Sequence, residues 1–358
     1  MHIDAFPVLN NYTYLNTANS GILSRDIADW RRDHDDRFLE GGSQFRLKRD
    51  EFFLAGRNAL AAIFYADPSH TFLVPNFSHG FNTVLNGLEG RKSFVLLKDD
   101  YPSVNYAVAA RGHLCIYTDP DELIEENLLR TVQHYRPEVL ALSLVQYHTG
   151  IMVDLHFIRQ LKKDFPELLI IADGTQLCGT GPFDFKNSGI DILISSGYKW
   201  MLGGYGNAFV LLSGYAAEFL YKGYKSFALP PESFLKGRGT LSLIFEPGHL
   251  DTLSFGTLFK SLELLKGMGM EAVSERITDL GAKARLAFEE RGLLSQAVVN
   301  RKVHSSIFNL NLEAGILEKL EDNGIIVTSR GSGVRVSFHF YNTREDLAKL
   351  LRVIDRTT

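Results

Sequence analysis

Short runs of consecutive apolar, largely β-branched residues recur along the chain, at 71–75, 94–97, 139–145, 168–172, 190–195 and 208–212. Continuous apolarity over so few residues predicts strands covered on both faces, as in a parallel sheet between layers of helices. Between several of these runs lie helix-length segments with apolar positions three and four apart, and Leu155, Ile158, Leu161 and Phe165 form one such stripe. Strand and helix in alternation predict an α/β fold with a mostly parallel sheet. The segment 31–37 reads as a helix whose charges form a solvated face, with Ile27, Trp30 and Phe38 on the apolar side.

The rhythm changes from about residue 257. Long helical patterns at 258–291 and 313–323 are interleaved with strand-like runs at 303–310, 325–329 and 334–340. This predicts a smaller α+β domain, completed by the first fifteen or so residues. The expected division is a large domain over 16–250 and a small domain made of 1–15 with 251–358.

Composition narrows the picture. The chain has 358 residues, 45% hydrophobic and 22% charged, which is ordinary globular composition and excludes wholesale disorder. Its 38 basic and 42 acidic residues nearly cancel, so no global field gathers nucleic acid or an anionic membrane. No apolar run approaches a membrane span, and 1–10 lacks the basic start and apolar core of a secretory leader. Two cysteines, Cys115 and Cys178, make no disulfide framework, so a reducing, cytoplasmic setting is expected.

The chemistry concentrates between 170 and 212. Ile170-Ile171-Ala172 is a buried strand that ends in Asp173, with Gln176 three residues on. A second strand, Asp191-Ile192-Leu193-Ile194, leads into Ser195-Ser196-Gly197-Tyr198-Lys199-Trp200 and then a glycine cluster, Gly203, Gly204 and Gly206. Ligands of open α/β sheets collect beyond the carboxyl ends of the strands, where Asp173 and Lys199 both sit. A lysine there, flanked by small residues, suits a Schiff base with an aldehyde cofactor once burial lowers its pKa. An aspartate on the adjacent strand can hold a pyridine nitrogen protonated, and the pair points to pyridoxal 5'-phosphate. Either residue alone is more simply a solvated lysine or a helix cap; order and spacing together favour the cofactor site. Pro75-Asn76-Phe77-Ser78-His79-Gly80 follows a strand and opens a helix, which provides free amides and a favourable dipole for a phosphate.

These segments resemble the class V, or cysteine-desulfurase-like, branch of the fold type I pyridoxal-phosphate-dependent transferases. The resemblance runs from Tyr14-Leu15-Asn16-Thr17-Ala18 to Tyr341-Asn342-Thr343. It is carried most specifically by Ala172-Asp173-Gly174-Thr175-Gln176 and Ser196-Gly197-Tyr198-Lys199-Trp200. It implies that Lys199 is the Schiff-base lysine, Asp173 the pyridine-nitrogen partner and Gln176 a donor to the ring hydroxyl. Ser78, His79, Ser196 and Tyr198 take phosphate positions on the same grounds, and Tyr101 the position of a residue that stacks on the ring. Arg335, in Gly333-Val334-Arg335-Val336-Ser337, matches the arginine that grips the substrate carboxylate. Asn19 and Tyr147 are implied near the substrate. Ser254-Phe255-Gly256-Thr257 resembles an element through which Thr257 reaches the phosphate of a neighbouring subunit, which implies a homodimer.

The implied activity is an aminotransferase-like reaction on a small-molecule amino acid. Selenocysteine- or cysteine-lyase-like cleavage is the alternative, with epimerisation or a catalytically silent cofactor-binding protein behind it. Relatives that transfer sulfur carry a cysteine just before the carboxylate arginine. This chain reads Val327-Thr328-Ser329-Arg330-Gly331-Ser332-Gly333 there, without a thiol, and desulfuration by that route is not expected. No metal site is expected.

Overall fold

The structure is a computed structural model that describes residues 3–232, 235, 237–313 and 315–356. Its strands, in chain order, are β1 (Thr13–Tyr14), β2 (Thr71–Val74), β3 (Ser93–Leu97), β4 (Leu114–Thr118), β5 (Val139–Ser143) and β6 (Leu169–Asp173). They continue with β7 (Ile192–Ser196), β8 (Ala208–Leu212), β9 (Ile307–Leu310), β10 (Ile325–Ile326), β11 (Thr328–Arg330) and β12 (Gly333–Ser337).

Seven strands form the central sheet in the order β2-β8-β7-β6-β5-β3-β4. Only β8 runs against its neighbours, pairing antiparallel with both β2 and β7. The α/β class and mostly parallel sheet expected from the hydrophobic pattern are therefore present. Strands β5, β6, β7 and β8 are buried along their whole length, because helices such as Phe77–Asn86 and Leu155–Asp164 lie against the sheet. Strand β4, which the sequence pattern does not mark, is the exposed edge, and Leu114 and Tyr117 face outward there. An edge strand with mixed burial carries no continuous apolar run, which is why periodicity passes it by.

The C-terminal part forms a three-stranded antiparallel sheet, β11-β12-β9. Helices Met270–Glu289 and Arg344–Asp355 cover it, burying Leu280, Ala284 and Phe288 from one and Leu347, Leu350 and Ile354 from the other. Fully burying each large apolar side chain contributes roughly 1.5–3 kcal/mol, so this small sheet has a core of its own. The N-terminal residues join it: β1 pairs in parallel with β10, and Asn16 bridges to Ser337. The pattern at 258–291 is two helices, Thr252–Met268 and Met270–Glu289, broken at Gly269, whose φ of 81° favours glycine. Helix Thr252–Met268, beyond the division expected at 250, buries Phe255, Leu258 and Leu262 in the same cluster as Phe53 and Leu60. Among the described residues no helix is long and apolar enough to cross a membrane, and no group of histidine, cysteine, aspartate and glutamate is placed to hold a metal.

Candidate active site

The carboxyl ends of β2, β3, β5, β6 and β7 open onto one cleft. Its lining includes Ser78, Tyr101, Tyr147, Asp173, Gln176, Ser196, Tyr198 and Lys199. Eight of the residues singled out from the sequence thus converge on one space, although they come from four different strand ends and the helix that follows β2. The lining also includes Asn76, Phe77, Ser143, Val145 and Thr175, which the sequence pattern does not mark as site residues.

Lys199 lies in the return between the antiparallel neighbours β7 and β8. That loop is fixed by Asn207, whose Nδ2 donates to the carbonyls of Gly203 (2.8 Å) and Ser254 (2.9 Å). Gly204 and Gly206 take the positive φ values of 66° and 84° that the tight return requires. Asn207 is a loop-holding residue that a strand-start asparagine gave no sequence signal for. On the other side Gly21 presses against the lysine's backbone: its amide donates to the Tyr198 carbonyl at 2.7 Å, and a methyl group at Gly21 would stand 2.2 Å from the Lys199 carbonyl oxygen. The lysine is only 7% exposed, and its ammonium lies 5.7 Å from the Tyr101 ring centroid and 5.6 Å from that of Tyr198. Burial, opposed by the Asp173 charge and reinforced by those of Arg335 and Arg330, lowers its pKa to about 8.

Asp173 ends β6, with Oδ1 accepting from the Thr175 amide at 2.8 Å. Burial raises its pKa to about 6, against the hydrogen bonds from Thr175 and the Lys199 charge that favour the ionised form. Asp100 is a second buried carboxylate nearby; it accepts from the amides of Tyr101 (2.7 Å) and Ser143 (2.8 Å), and burial pushes its pKa up. Asp100 therefore sets the position of Tyr101, an assignment that Lys98-Asp99-Asp100-Tyr101 does not distinguish from its exposed neighbour Asp99. Gln176 is engaged on both ends of its amide, donating to the Ala18 carbonyl (2.9 Å) and accepting from Trp200 Nε1 (2.7 Å).

At the start of helix Phe77–Asn86, Asn76 Oδ1 caps the amide of His79 (2.8 Å), and Ser196 Oγ accepts from the amide of Phe77 (2.9 Å). The Gly80 amide returns to the Asn76 carbonyl at 3.1 Å. Ser78 lines the cleft, with its hydroxyl bonded to Ser103 at 2.8 Å. The His79 side chain is exposed and does not line the cleft. Tyr198 stacks on Tyr205 with centroids 5.2 Å apart, and burial pushes its hydroxyl up to about 12.

Beside the cleft, β11, β12 and the N-terminal segment form a second wall whose Arg335 and Asn19 do not line the cleft itself, Arg335 being joined to it through the carbonyl of the lining residue Tyr147. Arg335 is 2% exposed; its Nη1 donates to the Tyr147 carbonyl at 2.6 Å, while its buried Nη2 has no partner among the described residues. Burial and then the Arg330 charge lower its pKa to about 10. Arg330 donates to Asn19 Oδ1 at 2.8 Å, so Asn19 touches this wall through an arginine that the sequence pattern does not mark. Tyr147 packs edge-on against Tyr101, centroids 5.3 Å apart. Thr257 also lies outside the cleft of its own chain. The helix begins at Thr252, capped by Asp251, and Thr257 sits a turn inside it, fully buried. Its hydroxyl donates to the Leu253 carbonyl (2.7 Å) and accepts from Arg31 (2.8 Å). Within its own chain it is a helix-interior residue.

The sequence profile of the family described as Aminotransferase class-V matches residues 41–350. An uncharacterized aminotransferase, YcbU, from Bacillus subtilis (strain 168) is 24% identical over 363 residues, covering 96% of this chain and 93% of that protein. Among solved structures, the cystine C–S lyase C-DES in complex with its reaction product cysteine persulfide is 21% identical, with a TM-score of 0.84 over 98% of this chain and 99% of that one. A C-DES mutant with glycine covalently linked to its PLP cofactor reaches a TM-score of 0.87 at 19% identity, over 99% of both chains. The apo cysteine desulfurase from Thermococcus onnurineus NA1 gives 0.84 at 15% identity, over 99% of this chain and 96% of that one. These likenesses show a shared fold.

Proposed function

The chain belongs to the aminotransferase class-V family, and from that premise we propose that it is a pyridoxal 5'-phosphate-dependent enzyme that acts on an amino acid through the amine of Lys199. The observation that carries the proposal is the enclosure of that buried amine and the Asp173 carboxylate in one cleft. The cleft fits the cofactor on its own chemistry: the start of helix Phe77–Asn86 suits a phosphate, a buried carboxylate suits a ring nitrogen, and Arg335 Nη2, unpartnered among the described residues, lacks an anion.

When bound, pyridoxal phosphate supplies an aldehyde for an amine and a ring that withdraws electrons from the substrate's α-carbon. The residues supply the rest. With its pKa brought down to about 8, Lys199 holds a usable share of neutral Nζ near neutral pH and exchanges the proton at the α-carbon. Asp173 holds a proton at the ring nitrogen, which its burial and the bond from the Thr175 amide position it to do. Arg335 grips the substrate carboxylate through Nη2 and so fixes the bond that is broken. Tyr101 and Tyr147, edge to face, wall the reacting atoms from water. Ser78 and Ser196 take the phosphate, with Tyr198 on the same side.

Aminotransferase-like chemistry is the first reading. The second is carbon–sulfur or carbon–selenium cleavage, favoured by the likeness to a cystine C–S lyase. Hairpin β11–β12 has no cysteine, and burial pushes the Cys178 thiol up to about 12. A lyase of this kind releases its leaving group directly instead of passing it to a protein thiol. The cytoplasm as the location is supported by two free cysteines, and a homodimer by the exposed Phe38, Leu39 and Leu54.

The test is spectroscopic. Purified protein should absorb in the visible with pyridoxal phosphate bound, and borohydride should fix the cofactor to Lys199. A protein that stays colourless with added cofactor, or that is labelled elsewhere, overturns the proposal. Screening amino acids for conversion to the pyridoxamine form, against release of sulfide or selenide, separates the two readings.

A further inference from the structure

The wall that carries Arg335 holds more positive charge than one carboxylate needs. In hairpin β11–β12, Thr328 pairs with Arg335 and Arg330 pairs with Gly333. Side chains directly opposite share a face, and so do residues two apart on one strand. Arg330 and Arg335 therefore project from the same face of the hairpin, as diagonal neighbours roughly 7–8 Å apart. Both charges act on Lys199, so both belong to the surroundings of the cleft. Among the described residues neither guanidinium has a carboxylate within 4 Å. Arg335 is flanked by Tyr147, Tyr198 and Tyr101, and Arg330 is held by the neutral Asn19 Oδ1 and the Ser329 carbonyl. Two like charges on one face, near a buried amine and without a counter-ion, repel one another and are destabilising unless anions meet them.

We propose that the substrate is an amino acid with a second acid group on a short side chain: Arg335 takes the α-carboxylate and Arg330, steadied by Asn19, takes the side-chain acid. This rests on the function proposed above and names its substrate class. Arg330 is then the residue that sets specificity. Its planar fork matches a second carboxylate in a way that a lysine or a surface ion pair does not.

Two independent measurements test this. Without added pyridoxal phosphate, calorimetric titration should show succinate or glutarate binding about 10-fold tighter than butyrate, a preference that Arg330→Gln removes and Arg330→Lys partly restores. With the cofactor bound, the ratio of kcat/KM for aspartate or glutamate to that for alanine should fall by about 10–100-fold in Arg330→Gln. Equal binding of mono- and dicarboxylates by the unaltered protein, or equal losses for acidic and neutral amino acids in the variant, overturns the assignment. Borohydride labelling of Lys199 in the same preparation reports separately on the underlying function, so a failure of that function is not mistaken for a failure of the substrate class.

Discussion

On the wall of the cleft formed by the large sheet, the polar groups are held from within. Asp173 accepts from the Thr175 amide, Ser196 from the Phe77 amide, and Gln176 bridges Trp200 and Ala18. On the wall formed by hairpin β11–β12, Arg335 keeps a buried Nη2 unpartnered among the described residues and Arg330 leans on a single neutral amide oxygen across the chain. The first wall is organised by backbone amides at strand and helix ends, which fix a permanent occupant in one orientation. The second leaves its charge open, which suits an occupant that must come and go. The contrast implies that damage to the sheet wall strikes the chemistry, whereas damage to the hairpin wall strikes binding and relieves the fold.

The largest effect is expected at Lys199. Replacing it by alanine should lower turnover by on the order of 10⁴-fold and abolish borohydride fixation of the cofactor, read by mass spectrometry of the tryptic peptides. A variant retaining a tenth of the activity removes the sheet wall from the chemistry. Asp173→Asn should follow with roughly 10³-fold lower kcat, with cofactor still retained and its absorbance shifted. An unchanged kcat would show that ring protonation comes from elsewhere.

Arg335→Gln tests the other side. It should raise KM for the amino acid by about 100-fold with a smaller change in kcat. It should also raise the melting temperature, because a buried and incompletely bonded guanidinium costs about 1–3 kcal/mol. A variant that melts lower while binding normally reverses the comparison between the walls. The smallest effect is in pH. Only the neutral amine reacts with aldehydes, and burial lowers the pKa of Lys199, so its rate of modification in the cofactor-free protein should climb with pH and level off above about 8. A rate still climbing toward the ordinary lysine value of about 10.4 shows an amine that the cleft does not tune.

Much of the sheet wall is legible in the amino-acid sequence, because its strands are apolar throughout and end abruptly in Asp173 and in Ser196-Gly197-Tyr198-Lys199. The hairpin wall is harder. Arg330 reads as one more surface charge until the register of β11 against β12 puts it on the face of Arg335. Thr257 shows another limit: the sequence does not say where its helix starts, and the Asp251 cap puts the start at Thr252, with the Thr257 hydroxyl bonded to the Leu253 carbonyl. His79 matches the expected phosphate segment, yet helical geometry turns its ring to solvent while its backbone stays at the turn. Local pattern identifies which strand ends matter; pairing register and helix phase decide which side chains arrive.

The pairing of Asn16 with Ser337, the bond from the Ala18 amide to Ser337 Oγ (3.0 Å) and the contact of Gly21 with Tyr198 bear on how the protein is made. Lys199 leaves the ribosome well before Arg330 and Arg335, whose charges act on it. Until β12 is complete, the amine lacks the guanidinium charges that, after burial, help bring its pKa down, so more of it stays protonated. A nascent chain stalled ahead of Gly333 should therefore resist aldehyde modification at Lys199 at neutral pH, as peptide mapping of stalled and released chains can read. Equal labelling of the two would mean that the sheet alone awakens the amine.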